Sequence, residues 1–493
     1  MVLPIFALLK YDKSNSQPVY LQISNQLMGL IRNGTLQSGQ RLPSTRFLAE
    51  SLSVHRKTIV QAYDELLSQG WLESHTGRGT FISKNLPEIK PQQFDRARHV
   101  QLNPAKTAGF AIRSAPHLHR EVLKSTARYH LDDGFPDARL APLEEISRAY
   151  RTQLLLGNPY VRLGYGDTLG SLALRQELSL YLNETRGLRT TPDNILITRG
   201  TIMGLFLASN TLLQKGDHVI MAEMGWSGAH MNFMQAETNI HTIPADENGI
   251  DLDALEQLCT MHPVRLVYLT SHHHYPTTAV LRADRRIRLL SLAERYGFII
   301  FEDDYDYDFH YQSKPLLPLA GADQAGMVLY CGSFTKTISP AFRVGYLVGS
   351  ENVISHLAQF RRIIDRQGDN TLENAMAELL KNGVIQRHLR KSLRLYRERR
   401  DVFCELLQAR LGKYLDFEIP EGGMAVWAKF NPEIDLSVLS KLALDKDLFF
   451  SKGFGFNKNP AISNATRLGF ASSTTEELLH CVEILESLIE KHC

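Results

Sequence analysis

Four short runs of this chain, at residues 195–197, 219–222, 296–301 and 327–330, are apolar throughout and show no alternation with polar residues. A strand of that kind must be covered on both faces, which is the condition inside a largely parallel sheet flanked by helices. Each run stops at polar residues: Thr198-Arg199-Gly200-Thr201, Glu223-Met224-Gly225-Trp226, Glu302-Asp303-Asp304-Tyr305-Asp306 and Gly332-Ser333-Phe334-Thr335-Lys336. Open α/β sheets take their ligands at the C-terminal ends of the strands. The pattern predicts an α/β domain whose chemistry gathers along one sheet edge.

Lys336 sits in the loop after the run at 327–330. A lysine at the floor of a crevice loses hydration, its pKa falls, and its amine becomes a nucleophile toward an aldehyde. Alone, Ser-x-x-Lys also describes a surface loop, so the neighbours decide. Asp303 and Tyr305 end the run at 296–301. A pyridoxal phosphate ring needs an acid against its pyridine nitrogen and a phenol against its ring oxygen, and these two supply that pair. Read without Lys336, the same acidic cluster would also suit a metal site or a solvated turn. Arg343 follows the lysine by seven residues and offers a bidentate clamp for a phosphate. Gly200 and Thr201 open a predicted helix, whose N-terminus binds phosphate, and Ser333 and Thr335 add donors from the lysine loop. Trp226 suits stacking on the ring; a core tryptophan is the alternative.

From about residue 130 to 490 the chain resembles the fold-type I aminotransferases. The motifs run in that family's order: Leu163-Gly164-Tyr165-Gly166-Asp167, Gly170, Leu174-Arg175, the turn at 198–204, Tyr275-Pro276-Thr277, the Asp303 cluster, Ser333 to Lys336, Arg343 and Arg467-Leu468-Gly469-Phe470. The resemblance implies an internal aldimine on Lys336, Asp303 at the pyridine nitrogen, Tyr305 at the ring oxygen and Arg343 at the phosphate. It also implies that Tyr165 reaches the phosphate of the neighbouring subunit and that Arg467 receives a ligand carboxylate. Met224 stands where the family usually has proline, Thr278 where it has glycine, and the run His272-His273-His274 is unusual. Adjacent histidines point apart, so no metal is expected; one ring is expected to face the cofactor's ring oxygen while the others pack or face water.

The first ninety residues follow different rules. Apolar residues at helical spacing over 18–31 end at Asn33-Gly34, and Ser44 is a natural N-cap for a second helix with Phe47, Leu48 and Leu52 facing inward. A third helix over 55–68 turns Ile59, Ala62, Tyr63, Leu66 and Leu67 to one face and starts with Arg56, Lys57 and Thr58. Residues 71–73 and 80–82 form a hairpin around Gly77-Arg78-Gly79. A helix pair with a basic second helix enters a major groove, and such a wing carries Arg78 to a minor groove. Between Ser14 and Lys84 seven basic residues face four acidic ones, an excess too small to argue DNA binding by itself. The order of the pieces resembles the winged helix-turn-helix of GntR regulators, with Leu42-Pro43-Ser44-Thr45-Arg46, His55 to Ile59 and residues 77–81 as its motifs; His55 replaces a frequent serine.

Both resemblances in this order match the MocR subfamily of GntR regulators. That implies a DNA-binding domain at 14–84 contacting a double-stranded operator through Arg46, Arg56, Lys57, Thr58 and Arg78. A linker at 85–130, a pyridoxal-phosphate-binding large domain at 131–350 and a small α+β lobe at 351–493 would follow. The resemblance further implies a head-to-tail homodimer and a small amine or amino-acid effector. The lobe is expected to begin with a long helix near Ser350, and the basic stretch at 387–400 reads as a solvated helix face. A net charge of +2 over 493 residues makes any nucleic-acid affinity local, and five cysteines without paired spacing fit a reducing compartment. No stretch spans a membrane and residues 1–10 lack a signal-peptide pattern, so the expected location is cytoplasmic. Three functions are consistent with these residues: a regulator sensing an amine at Lys336, a working aminotransferase with an accessory DNA-binding domain, and a sensor of the cofactor alone.

Overall fold

The computed structural model describes residues 5–86, 107–118, 125–311, 316–453 and 464–492, so much of the expected linker lies outside the described residues. The chain divides into two compact units, 1–113 and 114–493. In the first, helices Val19–Arg32, Thr45–Ser51 and Arg56–Ser68 enclose a core built on Ile23, Leu27, Leu48, Ile59, Ala62 and Leu66, all fully buried. Ser44 caps the second helix, accepting from the Phe47 N–H at 3.2 Å. Phe47 itself is 52 % exposed, against expectation. On so short a helix Leu48 and Leu52, four apart, take the inner face, and Phe47 one position earlier turns out to meet the edge of Phe6. The hairpin Leu72–His75 with Gly79–Ile82 follows, and Arg41 bridges to Phe81 beside it, so the wing has a third short edge.

In the second unit the apolar runs form the expected sheet, except that Tyr296 closes the preceding helix Ala283–Tyr296, Gly297 caps it at φ 74°, and the strand begins only at Ile299. Its order is Ile195–Thr198, Gly345–Val348, Val328–Ser333, Ile299–Asp304, Val264–Leu269, His218–Ala222 and Asn239–Ile243, parallel except for Gly345–Val348, which is antiparallel to both neighbours. Successive residues on one strand serve opposite faces. Ile197, Val267, Ile300 and Tyr330 join one apolar cluster, while Leu196, Leu266, Phe301 and Leu329 join another. This double coverage is why those strands carry no polar alternation. A smaller antiparallel sheet, Leu415–Phe417, Ala425–Phe430 and Ala465–Gly469, holds Arg467 opposite Trp427.

The helix after Ser350, Glu351–Arg361, has eleven residues and packs Ile354, Leu357 and Ala358 into the second of those clusters. The longest helix comes later, Val384–Leu406, and contains the basic stretch. Arg387, Arg390, Lys391, Arg394 and Arg397 are exposed along it, as a solvated face requires. Arg399 departs from that reading: it is buried against Asp137 at 3.0 Å, since its position continues the inward face of Ser392, Tyr396 and Phe403. Among the described residues no helix is long and apolar enough to cross a membrane.

Candidate functional site

Strand register sets the geometry of the large unit's site. Ser333 pairs with Gly345, which pairs with Thr198, while Asp303 pairs with Cys331 on the strand that leads to Lys336. The C-terminal ends of three strands and the start of a fourth, Gly345–Val348, therefore converge. A Cβ on Gly345 would lie 2.7 Å from the Gly200 Cα, so only glycine permits this approach. Gly200, at φ 80°, begins helix Thr201–Leu212 without any side-chain cap. The first-turn N–H groups of an uncapped helix are ready anion donors. Arg343 lies against this start: its Nη2 donates to the Arg199 carbonyl at 2.8 Å, and its backbone is held at φ 52°, a conformation non-glycine residues seldom adopt. Ser333 Oγ accepts from the Thr335 N–H at 3.1 Å and donates to Thr335 Oγ1 at 2.8 Å, while the Thr201 hydroxyl is bonded to the Cys331 thiol.

Asp303 is buried, with one oxygen taking the Tyr268 hydroxyl at 2.8 Å and the other, Oδ1, without any hydrogen-bond partner. Burial pushes its pKa up to about 7, with Asp304 and Asp306 adding to the rise against the Tyr268 bond. A buried carboxylate oxygen left unpaired is costly, and a pyridinium N–H is the kind of donor that would relieve it. The other members of the acidic cluster each have a partner, though Asp304 Oδ1 and Asp306 Oδ2 also lack a hydrogen bond. Glu302 accepts from the Leu319 and Ala320 N–H groups at 2.9 and 3.0 Å, Asp304 from Tyr330 at 2.7 Å, and Asp306 pairs with His273 at 2.8 Å. Tyr305 is half-buried and donates to the His273 carbonyl at 3.0 Å.

Lys336 Nζ donates to the Gly134 carbonyl at 2.7 Å and lies over the Phe135 ring at 4.3 Å. Burial lowers the pKa of its amine, Asp133 opposes this and Arg467 adds to it. Behind the loop, His388 bonds the Thr337 carbonyl at 2.9 Å. These residues fit pyridoxal phosphate: a phosphate-ready helix start, an unpaired buried carboxylate oxygen and an amine of depressed pKa along one edge.

Arg467 is buried and already engaged. Its Nε lies 2.7 Å from Asp133 Oδ1, off the angle of a hydrogen bond, its Nη1 donates to the Pro276 carbonyl at 2.9 Å, and its guanidinium lies over Tyr275 at 5.1 Å. Tyr275 in turn donates its hydroxyl to Asp133 Oδ2 at 2.7 Å. All three consecutive histidines are buried, so none faces water. His272 meets Asp304 at 3.3 Å, His273 meets Asp306, and His274 bonds Thr277 at 2.8 Å, its pKa pushed down to about 4 by burial and then by Arg467. Trp226 is half-buried, lies across Gly228 and packs against the cluster of Leu196 and Leu266. Tyr165 is 80 % exposed, with the Arg366 guanidinium 4.2 Å above its ring. Sequence reading had passed over Asp133, Tyr268 and His388. The pair Asp132-Asp133 before Gly134-Phe135-Pro136 was the available signal for the first; the other two are visible only once strands and helices are placed.

In the small unit Arg46, Arg56, Lys57 and Arg78 are exposed and Thr58 is half-buried. His55 caps the third helix, its Nδ1 accepting from the Lys57 N–H at 3.2 Å. The Tyr63 hydroxyl donates to the Pro43 carbonyl at 3.0 Å and fixes the third helix against the start of the second. At the wing, a Cβ on Gly79 would meet the Arg41 guanidinium at 3.1 Å, so Arg41 lies beside Arg78's turn and adds a cation that the sequence reading had not assigned.

Comparison with known proteins agrees with both halves. Residues 135–485 match the family described as Aminotransferase class I and II, and residues 19–82 match Bacterial regulatory proteins, gntR family. The chain is 28 % identical over 448 residues to the probable rhizopine catabolism regulatory protein MocR of Rhizobium meliloti, covering 90 % of this chain and 88 % of that one. It is 28 % identical over 416 residues to the HTH-type transcriptional regulator TauR of Rhodobacter capsulatus, covering 83 % and 84 %. In structure it is similar to the α-aminoadipate aminotransferase LysN of Thermus thermophilus, solved with N-(5'-phosphopyridoxyl)-L-leucine, at a TM-score of 0.67 and 27 % identity over 74 % of this chain and 92 % of that one. The match across most of the chain makes it a member of the class I and II aminotransferase family, whose cofactor is pyridoxal 5'-phosphate. With the gntR-type helix-turn-helix ahead of that domain, the chain belongs to the MocR-type GntR transcriptional regulators.

Proposed function

We propose that this regulator senses pyridoxal phosphate together with a small amine or amino-acid ligand through the amine of Lys336, and reports it as a change in operator binding. The observation that carries the reading is Asp303, a buried carboxylate with one unpaired oxygen and a pKa raised to about 7, at the same strand ends as a lysine of lowered pKa. When bound, the cofactor supplies an aldehyde for that lysine and an electron-withdrawing ring. In this reading Asp303 holds the pyridine nitrogen, Tyr305 the ring oxygen, and Trp226 the ring face. Gly200, Thr201, Ser333, Thr335 and Arg343 hold the phosphate. Arg467 receives the carboxylate of an amino-acid ligand.

The exposed Tyr165 supports a homodimer in which it completes the phosphate site of the partner, with the subunits arranged head to tail. Arg46, Arg56, Lys57, Thr58 and Arg78 make the operator contacts from a domain at 14–84, joined by a linker at 85–130 to the cofactor domain at 131–350 and a lobe at 351–493, in a cytoplasmic protein. The retained lysine also supports a second reading, an aminotransferase carrying a DNA-binding domain, because an amine of lowered pKa can move a proton at the ligand's α-carbon.

The test follows the near-visible spectrum of the pyridoxal-phosphate-loaded protein during addition of amines and amino acids, with a 2-oxo acid present in parallel. Operator affinity is measured on the same samples. A spectral change that saturates and shifts operator affinity is expected. Repeated turnover on the acceptor supports the second reading instead, and a spectrum indifferent to every amine leaves only the cofactor as signal.

A further inference from the structure

The edge of the large sheet remote from Lys336 carries three histidines that the cofactor site does not use. Strands His218–Ala222, Val264–Leu269 and Ile299–Asp304 run parallel, so His218, at the start of its strand, lies at the opposite end of the sheet from Asp303. Asn239–Ile243 is the outermost strand, and its His241 pairs with Ile220, two residues on from His218, which puts both rings on one face of the sheet. His262 ends the helix Leu252–Met261 just before Val264, the residue that pairs with His218 on its other side. The three rings meet, with centroids 4.6, 4.7 and 5.1 Å apart. His218 Nδ1 lies 2.8 Å from His241 Nε2, and one ring nitrogen of each histidine falls within 4.8 Å of the other two.

This trio differs from the run His272-His273-His274, in which each ring is bonded to its own partner. Among the described residues the trio's one side-chain hydrogen bond is internal, between His218 and His241. Imidazoles packed so closely repel one another once protonated. Burial, and then His262 and His218, lower the pKa of His241, which favours the neutral form that ligates metals. A first-row divalent ion takes histidine nitrogen at about 2.0–2.1 Å, which sets two nitrogens at tetrahedral corners roughly 3.4 Å apart. The separations here, from 2.8 Å to at most 4.8 Å, bracket that spacing, and all three rings are half-buried, with room to turn and a side open to solvent. An all-imidazole set suits zinc, copper or nickel and not magnesium or calcium, which require oxygen ligands.

We infer that His218, His241 and His262 form a binding site for a divalent transition-metal ion such as Zn²⁺, with water completing the coordination. The bound ion fastens the outermost strand to its neighbour and to the end of the helix Leu252–Met261. The test uses the full-length protein with its cofactor bound and any purification tag removed, stripped with EDTA and returned to chelator-free buffer. Zn²⁺ is titrated in competition with a chromophoric chelator, with Mg²⁺ in excess throughout. One equivalent per chain should bind at about micromolar affinity or tighter despite the Mg²⁺. His241→Gln and His262→Gln, made separately, should each weaken that equivalent at least about a hundredfold, beyond the roughly 10–100-fold cost of disturbing an outer partner of a ligand, and leave the near-visible spectrum of the cofactor unchanged. Cu²⁺ added to the wild type and read by electron paramagnetic resonance should show splitting from imidazole nitrogens, a measurement that needs no variant to fold. Absence of stoichiometric Zn²⁺ binding in the wild type overturns the inference. So does equal affinity in both folded variants, which places the ion elsewhere, and so does a Cu²⁺ signal from oxygen ligands alone. None of these readouts passes through Lys336, so the metal site and the sensing role stand or fall separately.

Discussion

The two units place their functional groups in opposite surroundings. In the small one the cations proposed to meet DNA, Arg46, Arg56, Lys57 and Arg78, stand in water on the outside of a core that is complete without them. In the large one Arg343 and Tyr165 are exposed, but Asp303, Lys336 and Arg467 are partly or wholly withdrawn from water, and the state of each is set by what it touches: Asp303 by Tyr268, Lys336 by Gly134, Arg467 by Asp133. A surface cation keeps its ordinary chemistry and acts through position and number. A buried group has its chemistry altered by burial, so removing a neighbour changes the group itself. Substitutions in the first unit should therefore subtract contacts, and those in the second should change charge states.

The largest expected effect is that of Lys336→Ala, which should remove the near-visible band of the loaded protein completely while leaving affinity for DNA in the absence of ligand unchanged. A surviving band would break the assignment of the amine. Arg56→Ala and Arg78→Ala should each weaken operator binding by about 1–3 kcal/mol in a fluorescence titration, or roughly five- to 150-fold, and reduce its salt dependence. Neither should alter the cofactor spectrum; if either does, the separation of roles drawn here is wrong.

A subtler effect belongs to Asp303. Its folded pKa is raised, so the folded state binds a proton more readily than the unfolded one. Stability of the cofactor-free protein should then be lowest above pH 7 and recover as pH falls through 7 toward 4. Asp303→Asn should flatten that slope, gaining roughly 1–3 kcal/mol at pH 8 and little near pH 5 in thermal melts. A parallel pair of pH profiles would show that the carboxylate is not buried as described. Smallest of all is Thr278→Gly: Thr278 sits at φ 65°, where its side chain is strained, so the glycine usual in this family should add about 1 kcal/mol.

The same contrast explains what the sequence revealed. Apolar runs without alternation led to a sheet covered on both faces, and polar residues at their ends led to the edge where Gly200, Asp303 and Lys336 gather, because strand periodicity and strand termini are local properties. Ser44 and the basic start of the third helix were legible for the same reason. Phe47 was misread since a seven-residue helix leaves its phase to tertiary contacts. Arg399 looked like one more surface cation until Asp137, 262 positions away, was brought beside it. The histidine run was unreadable because each ring is answered by a residue remote in the chain: Asp304, Asp306 or, across a turn, Thr277. Asp133 belongs to the same class, since its importance comes from Arg467 and Tyr275, neither near it in sequence.

The segment that ends in Asp133 is also stitched along its length. Tyr129–Leu131 runs as a parallel strand beside Leu448–Phe450, the Arg128 N–H donates to Asp447, and Ser472 and Ser473 donate to Asp132 and to the His130 carbonyl. Seen as a mechanical part, it is a short lever fixed along one side, with its tip in the ligand pocket. Its other end continues into the stretch of chain that leads back to the helix-turn-helix. Any lifting of that tip must strain or release those seams, so the tip's position is tied to the strand Leu448–Phe450 and to the turn at Ser472 and Ser473.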